Sequence, residues 1–190
     1  MELFFDTETN NLPLWKEEYT HPDQPHVIQF GFILSTDKRI YAEGNFLVTP
    51  QQDFDMSPEA ERIHGISKAD ILLHGIGATI VADTIESLVY SADCLVAHNM
   101  KFDLLLVQAM LHRAQGDLSV FNKRRFCTML ETTDVCCIPG KWGKNKWPKL
   151  QELHKFLFGV GFEGAHDALE DVRATRRCFY ELQKRRQSYE

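Results

Sequence analysis

The chain opens on an apolar run that stops at acids: Leu3-Phe4-Phe5 leads straight into Asp6-Thr7-Glu8. Such a run predicts a short buried strand with a polar end. His26–Leu34 and Arg39–Val48 are rich in β-branched and aromatic residues, and the turn-like Ser35-Thr36-Asp37 between them predicts a hairpin. Past Pro50 the period changes. Ser57-Pro58-Glu59-Ala60 joins an N-cap residue to a proline at the first helical position. Helical spacing then continues, broken by glycines, to Tyr90. Cys94-Leu95-Val96-Ala97 reads as another short strand and Phe102–Ala114 as a helix with one apolar face. Residues 137–148 read as a loop, Leu150–Phe158 as a helix, Gly159–Gly164 as a connection, and Asp167 onward as a long terminal helix. Three strands followed by alternating helices and strands predict an α/β sandwich around a mixed sheet flanked by helices. At 190 residues, without repeats or a linker, the chain reads as a single domain, 1–190.

Composition narrows the class. With 44% hydrophobic and 25% charged residues the chain resembles an ordinary soluble globular protein. No apolar run approaches bilayer-spanning length, and the acids of the first ten residues do not suit a signal peptide. The expectation is a cytoplasmic protein without membrane contact. Its five cysteines are odd in number and form no CxxC pair, which fits reduced, mostly buried thiols rather than disulfides or zinc. The net charge of −6 conceals a segregation: residues 123–149 carry seven Lys/Arg against two acids, and residues 173–190 carry six against two. Basic stretches on an acidic body suit a face that follows phosphates, or simply a solvated surface.

Three clusters carry candidate chemistry. Period-two alternation puts Asp6 and Glu8 on one face at a strand end. Their repulsion costs about 4 kcal/mol for unit charges about 4 Å apart at an effective dielectric near 20, and a bound cation reverses the sign. The second cluster, Ala97-His98-Asn99-Met100-Lys101-Phe102-Asp103, repeats the layout of strand, polar end and helix start, which aims Asp103 at the same strand ends. In the third, His166 and Asp171 would point roughly 140° apart if both lay on one helix. Asp167 and Glu170, however, have the spacing of a capping box. His166 therefore lies before the helix on a mobile approach loop, and the two side chains can converge.

Phe5-Asp6-Thr7-Glu8-Thr9, His98-Asn99-x-x-Phe102-Asp103 and His166-x4-Asp171 together resemble the three exonuclease motifs of the DEDDh (DnaQ-like) 3′→5′ exonucleases, in order and spacing. Ile63-His64-Gly65-Ile66-Ser67 and Cys127-Thr128-Met129-Leu130 resemble segments the family carries between them. The resemblance implies a ribonuclease-H-like fold and two divalent cations, Mg²⁺ or Mn²⁺. It further implies that Asp6 bridges both cations, that Glu8 and Asp171 complete one site, and that Asp103 supports the other. His166 would be the general base, and nucleoside 5′-monophosphates would leave from single-stranded or frayed 3′ ends of DNA or RNA. Thr7, Thr9, Asn99, Phe102 and His64 would border the terminal nucleotide, although Asn99 also suits a helix cap and His64 a structural role. Lys141-Trp142-Gly143-Lys144-Asn145-Lys146-Trp147 interleaves bases and aromatics, as a nucleic-acid contact or as a solvated loop anchored by Trp147.

Two rival readings exist. A haloacid-dehalogenase-type phosphatase also ends a hydrophobic strand in D-x-D, but Glu8, the N-x-x-F-D motif and His166 fit the exonuclease better. A non-catalytic nucleic-acid-binding module on the same fold would be free to lose acids that this chain retains. With 19 residues after Asp171, a stand-alone nuclease is expected rather than a polymerase-bound subunit.

Overall fold

Alternation along the first strand decides how the layers stack. In β1 (Glu2–Thr9), Leu3 and Phe5 point to one face of the sheet and Phe4 to the other, where each enters a separate core cluster. The structure, a computed structural model, describes residues 1–187, so the last three residues of the basic stretch 173–190 lie outside it. β2 (Val27–Ser35), buried along its whole length, pairs antiparallel with both β1 and β3 (Ile40–Thr49). The Thr36 N–H closes the β2–β3 hairpin on the Arg39 carbonyl at 2.9 Å. β5 (Cys94–Ala97) runs parallel to β1, β6 (Arg124–Cys127) parallel to β5, and β4 (Ile76–Gly77) parallel to β3. The strand order is β4-β3-β2-β1-β5-β6, the mixed sheet that the sequence predicts.

Helices cover both faces. α3 (Ala78–Ser91) and α4 (Met100–Arg113) bury Ile85, Leu88, Leu106 and Leu111 against Leu3, Phe5, Phe30 and Leu95. On the other side α8 (Ala168–Gln187) packs Val172 and Phe179 onto Phe4, Ile33 and Val96, with the Phe4 and Phe179 rings edge to face at 5.4 Å. Leu153 and Leu157 of α7 (Leu150–Phe158) seat that helix on Cys178 and Leu182 of α8. α1 (Pro58–His64) and α2 (Lys68–His74) precede α3, and the short α5 (Thr128–Glu131) and α6 (Thr133–Cys136) follow β6.

The structure departs from the sequence reading in several places. The first strand runs on through Thr9, so the motif acids lie inside it. The helical stretch after Pro50 is three helices, separated at Gly65, whose φ of 72° ends α1, and at Gly75–Gly77. β6 is an additional strand; with two exposed arginines in four residues and a partner on one side only, it lacks the apolar pattern of a buried strand. The cysteines are less uniformly buried than expected: Cys94 and Cys178 are buried, Cys127 and Cys136 half-buried, and Cys137 exposed.

Gly31, opposite Asp6 in the β1–β2 register, permits a close approach of the α8 backbone to the sheet. A Cβ there would stand 2.5 Å from the Ala168 carbonyl carbon and 2.6 Å from the Leu169 nitrogen, both backbone atoms. A glycine inside a strand often marks such an approach. Gly31→Ala should therefore destabilise the protein by about 1–3 kcal/mol, the usual cost of overpacking. A thermal melt should show it as a drop of several degrees, while Gly77→Ala, which meets nothing within 4 Å, should melt like wild type. Equal melting temperatures for the two variants would contradict this packing.

Candidate active site

The face that carries Phe4 continues with Asp6 and Glu8, both half-buried beneath the start of α8. α4 supplies Asp103 from its first turn. This carboxylate is 1% exposed; the Thr7 N–H and hydroxyl donate to its Oδ1 at 3.0 and 2.9 Å. Its Oδ2 is buried without a partner, and an orphaned buried acceptor costs about 1–3 kcal/mol.

α8 supplies Asp171, and its first turn is held from β2. Gln29 accepts the Ala168 N–H at 3.0 Å and donates to Asp167 Oδ2 at 3.1 Å, and Asn45 donates to the same carboxylate. Asp167 is the N-cap, its Oδ1 accepting from the Leu169 and Glu170 N–H groups. The reciprocal half of the expected capping box does not form, because Glu170 turns to Arg173 at 2.5 Å and the Asp167 N–H goes to the Gly164 carbonyl. His166 lies before the helix, as the spacing predicts. Its backbone is left-handed, with φ of 72°, and its N–H donates to Asp171 Oδ2 at 3.2 Å, which ties the approach loop to the helix. Such backbone strain costs about 1–3 kcal/mol and clusters at functional sites.

These elements bring all five motif residues to one open cleft of about 560 Å³. Ligand atoms of Glu8, His166 and Asp171 lie within 4.8 Å of one another. Burial, then repulsion from Asp103, Asp171 and Glu8, holds the Asp6 carboxyl well above its usual range. Burial and the Asp171 and Asp103 charges raise Glu8 to about 8. Burial raises Asp103 to about 7 against the opposing Thr7 hydrogen bonds, and raises Asp171 to about 6 against the His166 N–H. Among the described residues no salt bridge reaches any of the four. Four clustered carboxyls, an orphaned oxygen and no internal cation make a donor set that fits hard divalent cations.

The expected substrate contacts divide. Thr7, Asn99 and Phe102 line the cleft, but the Thr7 hydroxyl is committed to Asp103. Thr9 and His64 are not among the lining residues. The Thr9 hydroxyl donates to the Asn11 carbonyl at 2.7 Å, and His64 accepts the Ile66 N–H through Nδ1 while its buried Nε2 has no partner. Asn99 begins α4 in a left-handed conformation without a side-chain cap. Three positioning residues, Gln29, Gly31 and Asn45, escaped the sequence reading, and a fourth, His98, was read there only as part of a motif. A glutamine and a glycine inside an otherwise apolar strand were the available signals. His98 is half-buried in the cleft wall, its Nδ1 on Thr128 Oγ1 at 2.9 Å and its Nε2–H donating to the Pro148 carbonyl at 3.0 Å.

The basic stretches are split. Arg124, Arg125, Arg177 and Arg186 border a groove of about 790 Å³ at the first residues of β1, β5 and β6, the end of the sheet away from the acids. Of the first stretch, Met129, Trp147, Pro148 and Lys149 line the cleft of the motif residues, and Lys149 is the one basic side chain among them.

The raised carboxyls fix a pH dependence. An acid whose folded value exceeds its unfolded value, near 4, keeps a proton that the unfolded chain has released, so stability falls as pH rises between the two values. His26 and His98, lowered to about 4 by burial, give the opposite slope below about pH 6.5. Above that, Asp6, Asp103 and Glu8 dominate. In EDTA the melting temperature should fall between about pH 6.5 and 8, Mg²⁺ should flatten the fall, and Glu8→Gln should shrink it. A melting temperature that rises across this window would contradict the arrangement.

Comparison with known proteins agrees with the geometry. Residues 3–179 match the RNase_T exonuclease family model. An uncharacterized exonuclease of Escherichia phage 186, CP81, is 28% identical over 178 residues, covering 91% of this chain and 83% of that protein. E. coli exonuclease I in complex with a dA16 oligonucleotide matches with a TM-score of 0.78 at 23% identity, covering 99% of this chain and 41% of that one. A zinc-bound exonuclease I complex with single-stranded DNA matches with a TM-score of 0.74 at 24% identity, over 98% of this chain. The chain spans about two fifths of the length of exonuclease I, and at such identities the likeness shows the ribonuclease-H-like fold. A family model that matches nearly the whole chain, with its three motifs gathered at one cleft, places this protein in the RNase_T exonuclease family, of the DEDDh (DnaQ-like) type.

Proposed function

We propose that the protein is a metal-dependent 3′→5′ exonuclease that removes nucleoside 5′-monophosphates from single-stranded or frayed 3′ ends, with DNA the favoured substrate and RNA the alternative. The observation that carries this reading is the buried, partnerless Oδ2 of Asp103 among three other carboxyls with raised proton affinity. A fold without ligands gains nothing from that arrangement. The solved exonuclease I complexes with oligonucleotides and with zinc are consistent with it.

Asp6, Glu8, Asp103 and Asp171 would hold two divalent cations, Mg²⁺ or Mn²⁺, whose charge stabilises the attacking and leaving oxygens in displacement at phosphorus. The remaining work belongs to the chain. Thr7 fixes Asp103 from two sides, and the His166 N–H fixes Asp171. Asn99 and Phe102 border the terminal nucleotide. The His166 imidazole, exposed and beside Glu8 and Asp171, takes the proton of the attacking water. The bond from phosphorus to the 3′ oxygen breaks, and that oxygen becomes the new 3′ hydroxyl.

A 5′-labelled single strand should be shortened from its 3′ end only when metal is supplied and the 3′ hydroxyl is free. Cutting of a 3′-blocked strand would overturn the polarity. His166→Ala should slow the reaction roughly a hundred- to ten-thousand-fold, the usual worth of a positioned base, while keeping the metal-induced rise in melting temperature. Loss of that rise together with activity would make His166 a metal ligand instead.

A further inference from the structure

Trp142 and Trp147 are 95% and 64% exposed on a segment that is otherwise held in place. Residues 138–146 form a small hairpin. The Gly140 N–H donates to the Lys144 carbonyl and the Lys146 N–H to the Ile138 carbonyl, both at 2.9 Å, with a bridge between Pro139 and Asn145. Asn145 donates to Asp134 at 2.9 Å, and Lys146 pairs with Glu152 of α7 at 2.6 Å. Trp142 sits at the tip in a left-handed conformation, φ 61°, followed by Gly143 at 71°.

That conformation is strained for a bulky side chain, and an exposed indole forgoes the burial that normally justifies one. Neither indole stacks on another ring or on a cation among the described residues. Trp147 lines the cleft that holds the four carboxylates. Its position is fixed from the next residue, where the Pro148 carbonyl accepts from His98 in the cleft wall. Lys141 and Lys144 flank the tip, exposed and without an acidic partner among the described residues. The segment therefore presents two unpartnered aromatic faces and two uncompensated cations, continuous with the catalytic cleft.

We propose that this hairpin is a base-stacking platform for single-stranded nucleic acid. Trp147 receives a base at the mouth of the cleft, Trp142 receives one further along the strand, and Lys141 and Lys144 lie against backbone phosphates. Bases in a duplex already have both faces covered, whereas an unpaired strand offers its faces to an aromatic ring whatever its sequence. The platform thereby selects single strands, and it rests on the exonuclease reading only for the direction in which the strand enters.

Binding without hydrolysis separates the two claims. The anisotropy of a fluorescent thymidine oligomer, titrated with protein in EDTA, gives Kd. Trp147→Ala and Trp142→Ala should each weaken binding about tenfold, with Trp→Phe at either position retaining most of the affinity and a blunt duplex binding equally to all variants. Kd values within twofold of wild type in both alanine variants would overturn the platform, as would an equal loss on the duplex. Trp142, nearly free of the fold, keeps the test decisive should Trp147→Ala fold poorly. Tight, tryptophan-dependent binding by a wild-type protein that then cuts nothing in Mg²⁺ or Mn²⁺ would sink the exonuclease reading and leave the platform standing.

Discussion

The approach of the α8 backbone to β2 at Gly31 sets the geometry on which the site depends. Asp171 can share a cleft with Asp6 and Glu8 only because the first turn of its helix comes down onto the sheet directly opposite Asp6. Gln29, two residues away on the same face and opposite Glu8, closes the contact by bonding both the Ala168 N–H and the Asp167 carboxylate. β2 has no motif residue, yet it registers the third motif against the first. Packing farther along α8, where Val172 and Phe179 meet Phe4, Ile33 and Val96, holds the helix down.

The same geometry works against the fold in the absence of a ligand. Four carboxyls are gathered where burial and mutual repulsion favour their protonated forms, and His166 and Asn99 adopt left-handed backbones beside them. The stabilising cores lie elsewhere, in the cluster under α3 and α4 and in the one under α8. This division is expected of an active site, where local strain and repulsion are tolerated because the scaffold imposes them.

What the sequence showed and hid follows from the range of each interaction. Asp6 and Glu8 were legible because acids interrupt an apolar run at period two, and Asp103 because it repeats that layout before a helix. His166 and Asp171 were legible through Asp167, whose capping role depends only on its neighbours. Glu170 misled because a second local partner, Arg173, competes for it at the same three-residue spacing and wins. Gln29 and Gly31 were visible as oddities within a buried strand, but their partners lie more than a hundred residues away. Thr7 and Thr9 sat correctly beside the motif, yet their hydroxyls serve Asp103 and the Asn11 carbonyl. No local pattern distinguishes those uses from substrate contact.

If the four carboxyls hold protons that a cation must displace, metal binding should release them. Calorimetric titration of the metal-free protein with Mg²⁺ or Mn²⁺ near pH 7, in two buffers of different ionisation enthalpy, counts the protons set free. With Glu8 raised to about 8, Asp103 to about 7 and Asp6 well above its usual range, more than one proton should leave each protein molecule on saturation. Asp103→Asn should lower the count. Saturable binding with no proton release would mean that the carboxyls are already ionised and compensated, and would contradict the site described.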